Sequence, residues 1–405
     1  MEKLDYLFRT SRGNHSRYME RYSRRIQFAT EQETYSKKSM LEREKLRFQQ
    51  EFGDWMRANN RKSFRGEVVL QLDFYPSRSN PPSIHQLAKN YLDLLWRPAQ
   101  GLRNPRLPLQ DDRQISILIV NYHIQQKNTS PSIEVQMAPL GDFYDDLRLF
   151  GLIRTGNFPE DDETPRYDLE KVIPPDDSLA LFDKSVEKLR DHEELKELIT
   201  PENYENLKNI HLVDYQSAFF GLEKIKPSDL ILFLQKSNLE DDLLGSMLSD
   251  HRNFVITHSL TPLRAAGLPT RMGDTEKFKN TVRGMINEFK ERYPILFPLR
   301  INLSLTILYV PPSGQEIDLD NLARYIVPFI NEALKPPVGF WFYDYQRPKG
   351  YPAHTIIQYQ IIKIPRNQHD PEDGVVKLVF GEYEPYNNCW HDVDRTINLW
   401  SDEAF

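Results

Sequence analysis

Cysteine is almost absent from this 405-residue chain. The one thiol, Cys389, cannot close an internal disulfide and leaves no Cys-rich zinc site. Long apolar runs are missing as well. Nowhere do about 18 apolar residues follow one another, which excludes a membrane-spanning helix. The stretch Met1 to Arg25 is charged throughout and lacks an apolar core, so no secretory signal is expected there. The expectation is a soluble, cytoplasmic protein. What is present, 39% hydrophobic and 27% charged residues, rules out a wholly disordered chain. The length suffices for two or three domains.

The net charge of −7 hides a segregation. Residues 1–66 carry 16 Lys/Arg against 9 Asp/Glu, whereas residues 141–255 carry 13 against 26 and residues 366–405 carry 3 against 9. A polyanion responds to the local field of a domain rather than to the chain total. Solvated faces of opposite sign would produce the same pattern.

Hydrophobic periodicity gives an order of elements that occurs twice. Residues 37–55 are helical in period, with Leu41, Phe48, Phe52 and Trp55 on one face. A strand with one buried face follows (GEVVLQLDFYP, 66–76), then a helix (85–96) and a strong strand (111–124). The same sequence of helix, strand, helix, strand returns at 273–293, 300–312, 318–334 and 354–364, and the two units span 30–125 and 256–365. Pro328 is expected to kink or end its helix. The stretch between the units reads as acidic and mostly helical, notably over 183–199 and 228–248. Beyond Pro365 a hairpin (VVKLVFGEYEPY) and an acidic, aromatic end with Trp390 and Trp400 are expected.

The sharpest chemical signal is Asp318-Leu319-Asp320-Asn321, opening a helix after Pro311-Pro312. Two carboxylates two residues apart at a strand-to-helix junction can converge on one hard divalent cation. A third is available at Asp344, before the last strand of that unit. Three such groups around Mg²⁺ or Mn²⁺ suit phosphodiester hydrolysis. Aspartates also serve as helix N-caps, and an Asp-x-Asp alone does not separate the two roles.

The run DLDNLAR, followed by the rest of a helix and GFW-x-x-D-x-Q before a strand, resembles the RusA-type Holliday-junction resolvases. The resemblance covers the second unit. It places Asp318 and Asp320 on the family's paired metal-binding aspartates, Asp344 and Gln346 on its D-D-x-Q element, and Arg324 on its phosphate-facing lysine. Two departures stand out: Tyr343 replaces the first aspartate of that element, and RPKGYPA interrupts the approach to the strand. The first unit is similar to the same family but degenerate. It keeps Asp111-Asp112-Arg113-Gln114 and Lys89, yet has Ser83 and His85 where the aspartate pair would stand.

The resemblance implies an α+β fold of two α/β units, each a mixed sheet packed on helices, forming a pseudo-dimer. The expected divisions are a degenerate unit with a basic N-terminal helix (1–135), an acidic helical insert (136–255), a unit with the aspartate triad (256–365) and an acidic aromatic tail (366–405). It further implies a Mg²⁺- or Mn²⁺-dependent endodeoxyribonuclease for branched DNA, with one competent site per chain, monomeric or homodimeric.

Phosphate contacts would come from Lys37, Lys38, Arg43, Lys45, Arg47, Arg61, Lys62, Arg65 and Lys89 in the first unit, and from Lys277, Lys279, Arg283 and Arg347 in the second. The aromatic run Phe340 to Tyr343 suits either a wedge into a branch point or packing. The acidic insert also fits a nuclease effector of a defence or mobile-element system that docks a protein partner. A non-catalytic DNA-binding subunit is the remaining alternative.

Overall fold

A computed structural model describes residues 6–7, 9–78, 81–102, 105–123, 130–156, 178–222, 263–264, 275–314, 316–334, 355–366, 372, 374–383 and 388–405. Asp344, Gln346, Arg347, the aromatic run 340–343 and the helix read at 228–248 lie outside these residues.

The fold is α+β, with a mixed sheet and nine helices among the described residues. In chain order the elements are α1 (Ser11–Arg24), β1 (Ile26–Thr30), α2 (Glu42–Ala58), β2 (Val68–Tyr75) and α3 (Ile84–Trp96). A 3-10 turn (Asp112–Gln114) leads into β3 (Ile115–Tyr122), followed by β4 (Ser132–Pro139) and α4 (Leu140–Thr155). Helices α5 (Ser178–His192) and α6 (Pro201–Gly221) come next, then the short β5 (Leu263–Arg264), α7 (Thr275–Arg292), β6 (Leu303–Val310) and α8 (Leu319–Ala333). The described chain ends with β7 (Ile356–Lys363), β8 (Val375–Glu382) and α9 (Cys389–Ala404).

Strand order is β1-β4-β2-β3-β7-β6-β8-β5. Among the described strands, only β2–β3 and β6–β7 are parallel pairs. Each parallel pair needs a crossover, and α3 and α8 supply the two. The order is symmetric about the antiparallel β3–β7 junction: β4-β2-β3 on one side answers β8-β6-β7 on the other. Even the irregularities correspond, with a register shift at the start of each first strand, between Val68 and Val69 and between Leu303 and Ser304.

Helices cover both sides of the sheet, so β2 is buried on both faces rather than on the one face its alternation suggested. Val68, Leu70, Leu72 and Phe74 join a core with the apolar faces of α2, α3, α6, α7 and α8. Val69, Ile117, Leu308 and Ile362 face a second core, built with α1, α4 and α9. A face covered on both sides favours continuous apolar strands over alternating ones.

The expectations for VVKLVFGEYEPY, Pro328 and Leu41 are corrected here. The stretch VVKLVFGE forms a single strand, β8, paired with β6, instead of a hairpin. The acidic end forms α9, whose Trp390, Val393, Ile397 and Trp400 recur at helical spacing and are buried against the sheet. Pro328 neither ends nor splits α8. The carbonyl it leaves without an N–H partner belongs to exposed Arg324, while Ile326, Val327, Phe329 and Ile330 anchor both flanks in the core. Leu41 is exposed just ahead of α2, outside the buried face read for it.

The helices of the second core are tied by a buried ion network. Arg25 Nη2 donates to Asp146 Oδ2 on α4 at 2.8 Å, and Arg21 Nε donates to Asp146 Oδ1 at 2.7 Å. Arg25 Nη1 also reaches Asp394 Oδ2 on α9 at 2.5 Å. Both the Arg25 guanidinium and the Asp146 carboxylate are almost wholly buried. No described helix is long and apolar enough to cross a membrane.

Candidate metal centre

The antiparallel β3–β7 junction decides which loops meet. Ile117 of β3 lies beside Ile362 of β7, and Leu308 of β6 lies beside the same Ile362 from the other side. The start of β3 and the end of β6 therefore share one end of the sheet. The turn entering β3 and the loop entering α8 emerge there together.

Local chemistry fixes both segments. Asp111 caps the 3-10 turn, its carboxylate accepting from the Arg113 N–H at 3.0 Å. Gln114 fastens the turn to the approach to β2, donating to the Phe64 and Gly66 carbonyls. Asp112 is thereby left to face the cleft. Across it, Asp318 stands at the N-cap position of α8, but its carboxylate makes no capping bond. It accepts instead from Asn321 Nδ2 at 3.2 Å. The capping role open to an Asp-x-Asp is not the one Asp318 plays.

Asp112, Asp318 and Asp320 each bring a carboxylate oxygen within 4.8 Å of the others. Asp320 is buried, at 4% exposure, and its Oδ1 has no hydrogen-bond partner. Its Oδ2 forms an ion pair with Lys89 Nζ of α3. Such a buried, half-satisfied carboxylate is costly unless something else shares the site. Burial, a hydrogen bond with Asp111 and the charges of Asp318 and Asp320 push the Asp112 carboxyl up to about 6, with Lys89 opposing them. Burial and the charge of Asp320 also raise Asp318, against Lys89 and Arg113. Three converging carboxylates with hard oxygen donors and one orphaned buried oxygen fit a divalent cation such as Mg²⁺ or Mn²⁺.

The centre opens into a cleft of about 580 Å³ lined also by Lys37, Lys89, Arg97, Arg113 and Arg324. Lysine and arginine side chains therefore share the cleft with the carboxylates.

The sequence-derived residues distribute as follows. Asp318 and Asp320 come together, and Arg324 is exposed on the cleft. Asp344 lies outside the described residues, and among those described the third carboxylate is Asp112. Asp112 was grouped with Ser83 and His85 of its own unit. It lies instead with the aspartates of the other, because the start of β3 and the start of α3 are at opposite ends of the sheet. Ser83 Oγ is 3.5 Å from His85 Nε2 there.

Among the phosphate-binding candidates, Lys37 lines the cleft while bonded to Asp93 at 2.7 Å. Lys45, Arg47 and Lys279 pair with Glu42, Glu51 and Glu276 on their own helices. Arg61 donates to the Ser23 carbonyl, and Arg283 to Asn280 Oδ1 at 3.0 Å. Lys38, Arg43, Lys62 and Arg65 are exposed, and Lys277 lies on α7. Arg97 and Arg113 were not singled out from the sequence. Arg113 sits inside the D-D-x-Q element, which was the available signal, whereas nothing in the sequence marks Arg97. No protein-family model, curated protein or solved structure matches this chain.

Proposed function

We propose that this protein is a Mg²⁺- or Mn²⁺-dependent, structure-selective endodeoxyribonuclease of RusA type acting on branched DNA. The carboxylate centre found among the described residues is built jointly by two copies of a duplicated unit packed as an intramolecular pseudo-dimer. The symmetric strand order and the matching register shifts support the duplication. The observation that carries the function is the meeting of Asp112, Asp318 and Asp320 within 4.8 Å, the most buried of them with an unsatisfied oxygen.

Asp112, Asp318 and Asp320 would hold the cation, and Asn321 fixes the orientation of Asp318 through its 3.2 Å bond. The bound cation supplies a lowered pKa for the attacking water and neutralises charge building on the phosphate. Arg324 and Arg113, which line the cleft, would contact DNA phosphates. A single centre per chain makes one incision per binding event, so paired cuts require two chains.

Calorimetric titration of Mn²⁺ into wild type and Asp320→Asn, beside cleavage of a synthetic four-way junction, tests this. Wild type should bind the ion and nick the junction, while Asp320→Asn should bind DNA without cutting. Equal Mn²⁺ binding and cleavage by the two proteins would overturn the assignment.

A second reading, a nuclease effector docking a protein partner, is favoured by Leu179, Leu181 and Leu198. They stand 63%, 59% and 76% exposed on the acidic helical insert. Pull-down by chains with and without these three leucines replaced by serine would separate it from a stand-alone nuclease.

A further inference from the structure

The carboxylate centre already holds a cation of its own. Lys89, from the first half of the chain, ion-pairs with Asp320 from the second. The lysine side chain is 23% exposed and the aspartate only 3%. Lys89 Nζ also lies 3.5 Å from Asp93 Oδ1, one helical turn further along α3. That oxygen has no hydrogen-bond partner. The other oxygen of Asp93 accepts from Lys37 at 2.7 Å. Lys89 therefore sits between two buried carboxylates, in close contact with Asp320 and in loose contact with Asp93.

An ammonium and a divalent cation compete for the same buried oxygens, since at a few ångströms their repulsion is as large as either attraction. We infer that Lys89 is a displaceable counter-ion. In the metal-free protein it neutralises Asp320. When a divalent cation binds, Lys89 yields that carboxylate, turns to Asp93 and presents its ammonium to the cleft as a positioning group for a DNA phosphate. Metal loading and DNA binding are thereby coupled through one side chain of the copy that lacks its own aspartate pair. This inference rests on the nuclease reading above.

The decisive experiment compares wild type and Lys89→Met, which keeps the aliphatic stem and removes the charge. Affinity for a labelled four-way junction is measured in EDTA and in Ca²⁺, and Mn²⁺ affinity by calorimetry. Lys89→Met should bind Mn²⁺ roughly tenfold or more tightly than wild type. Its DNA affinity should fall less in EDTA, where Lys89 is engaged with Asp320, than in Ca²⁺, where it is not. Most of the gain that Ca²⁺ gives wild type should be lost. Equal loss of DNA affinity with and without Ca²⁺ would mark Lys89 as an ordinary surface charge and overturn the inference, as would unchanged Mn²⁺ affinity.

Asp93→Asn, read if Lys89→Met fails to fold, should weaken Mn²⁺ binding and reduce the same Ca²⁺-dependent gain. An undiminished gain would refute the switch. If neither wild type nor Lys89→Met binds Mn²⁺, the metal centre itself falls. If wild type binds it and Asp320→Asn does not, while Lys89→Met equals wild type, only the role of Lys89 falls.

Discussion

Replacing Asp112 with asparagine should raise the stability of the metal-free protein while lowering its affinity for metal. The change removes one charge and leaves the volume almost intact. The Asp112 carboxyl is held at about 6, against an ordinary 3.8, by burial, by Asp111 and by the charges of Asp318 and Asp320. A shift of that size corresponds to about 3 kcal/mol. Asp112 is only half-buried, so solvent screening reduces the cost of its ionisation to about 1–2 kcal/mol.

The sign follows from linkage: a carboxyl raised on folding costs nothing below its unfolded pKa and most above its folded one. The gain from Asp112→Asn should accordingly be absent near pH 4, grow towards pH 6 and stay level above it. Urea unfolding in EDTA at several pH values measures this, and Mn²⁺ calorimetry at pH 8 measures the opposite effect, a loss of roughly tenfold or more. A variant destabilised at pH 8, or one that binds Mn²⁺ like wild type, would refute the placement of Asp112 in the centre.

Three further outcomes are expected. Mn²⁺ affinity of wild type should fall as pH drops below about 6, where protons compete for Asp112, and level off above it; a pH-independent affinity between 5 and 8 would contradict this. Asp146→Ala leaves the buried Arg25 guanidinium with Asp394 alone, and should cost about 3 kcal/mol in denaturant unfolding. A loss under about 1 kcal/mol would show that the network is not structural. Trp400→Ala opens a cavity in the second core and should cost about 3–5 kcal/mol; a mild effect would mean that α9 is a detachable tail.

The elements of the repeated units were legible in the sequence because each keeps a clean local period. Strands β2, β3, β6 and β7 and helices α7 and α8 all fall within the spans expected from pattern alone, and α3 starts one residue before its expected span. The strand β1 was missed, being only five residues long with a polar Thr30 on its buried face, and β8 was mistaken for half of a hairpin. Both depend on partners far away in the chain, β4 and β6, rather than on their own turn signals. The burial of α9 was hidden by its acidic composition, since Asp392, Asp394, Asp402 and Glu403 surround a narrow apolar stripe.

By itself the sequence determined the paired carboxylates of Asp318 and Asp320: their spacing and their place at the head of a helix are local facts. Tertiary structure alone decided their company. The antiparallel β3–β7 junction carries the start of one unit's last strand to the end of the other unit's first strand. Asp112 and Lys89 are consequently delivered to aspartates about 200 residues further along the chain. No local pattern encodes that meeting, because it is set by which strand edges remain unpaired when each unit folds and by the apolar area the joined sheet removes from water.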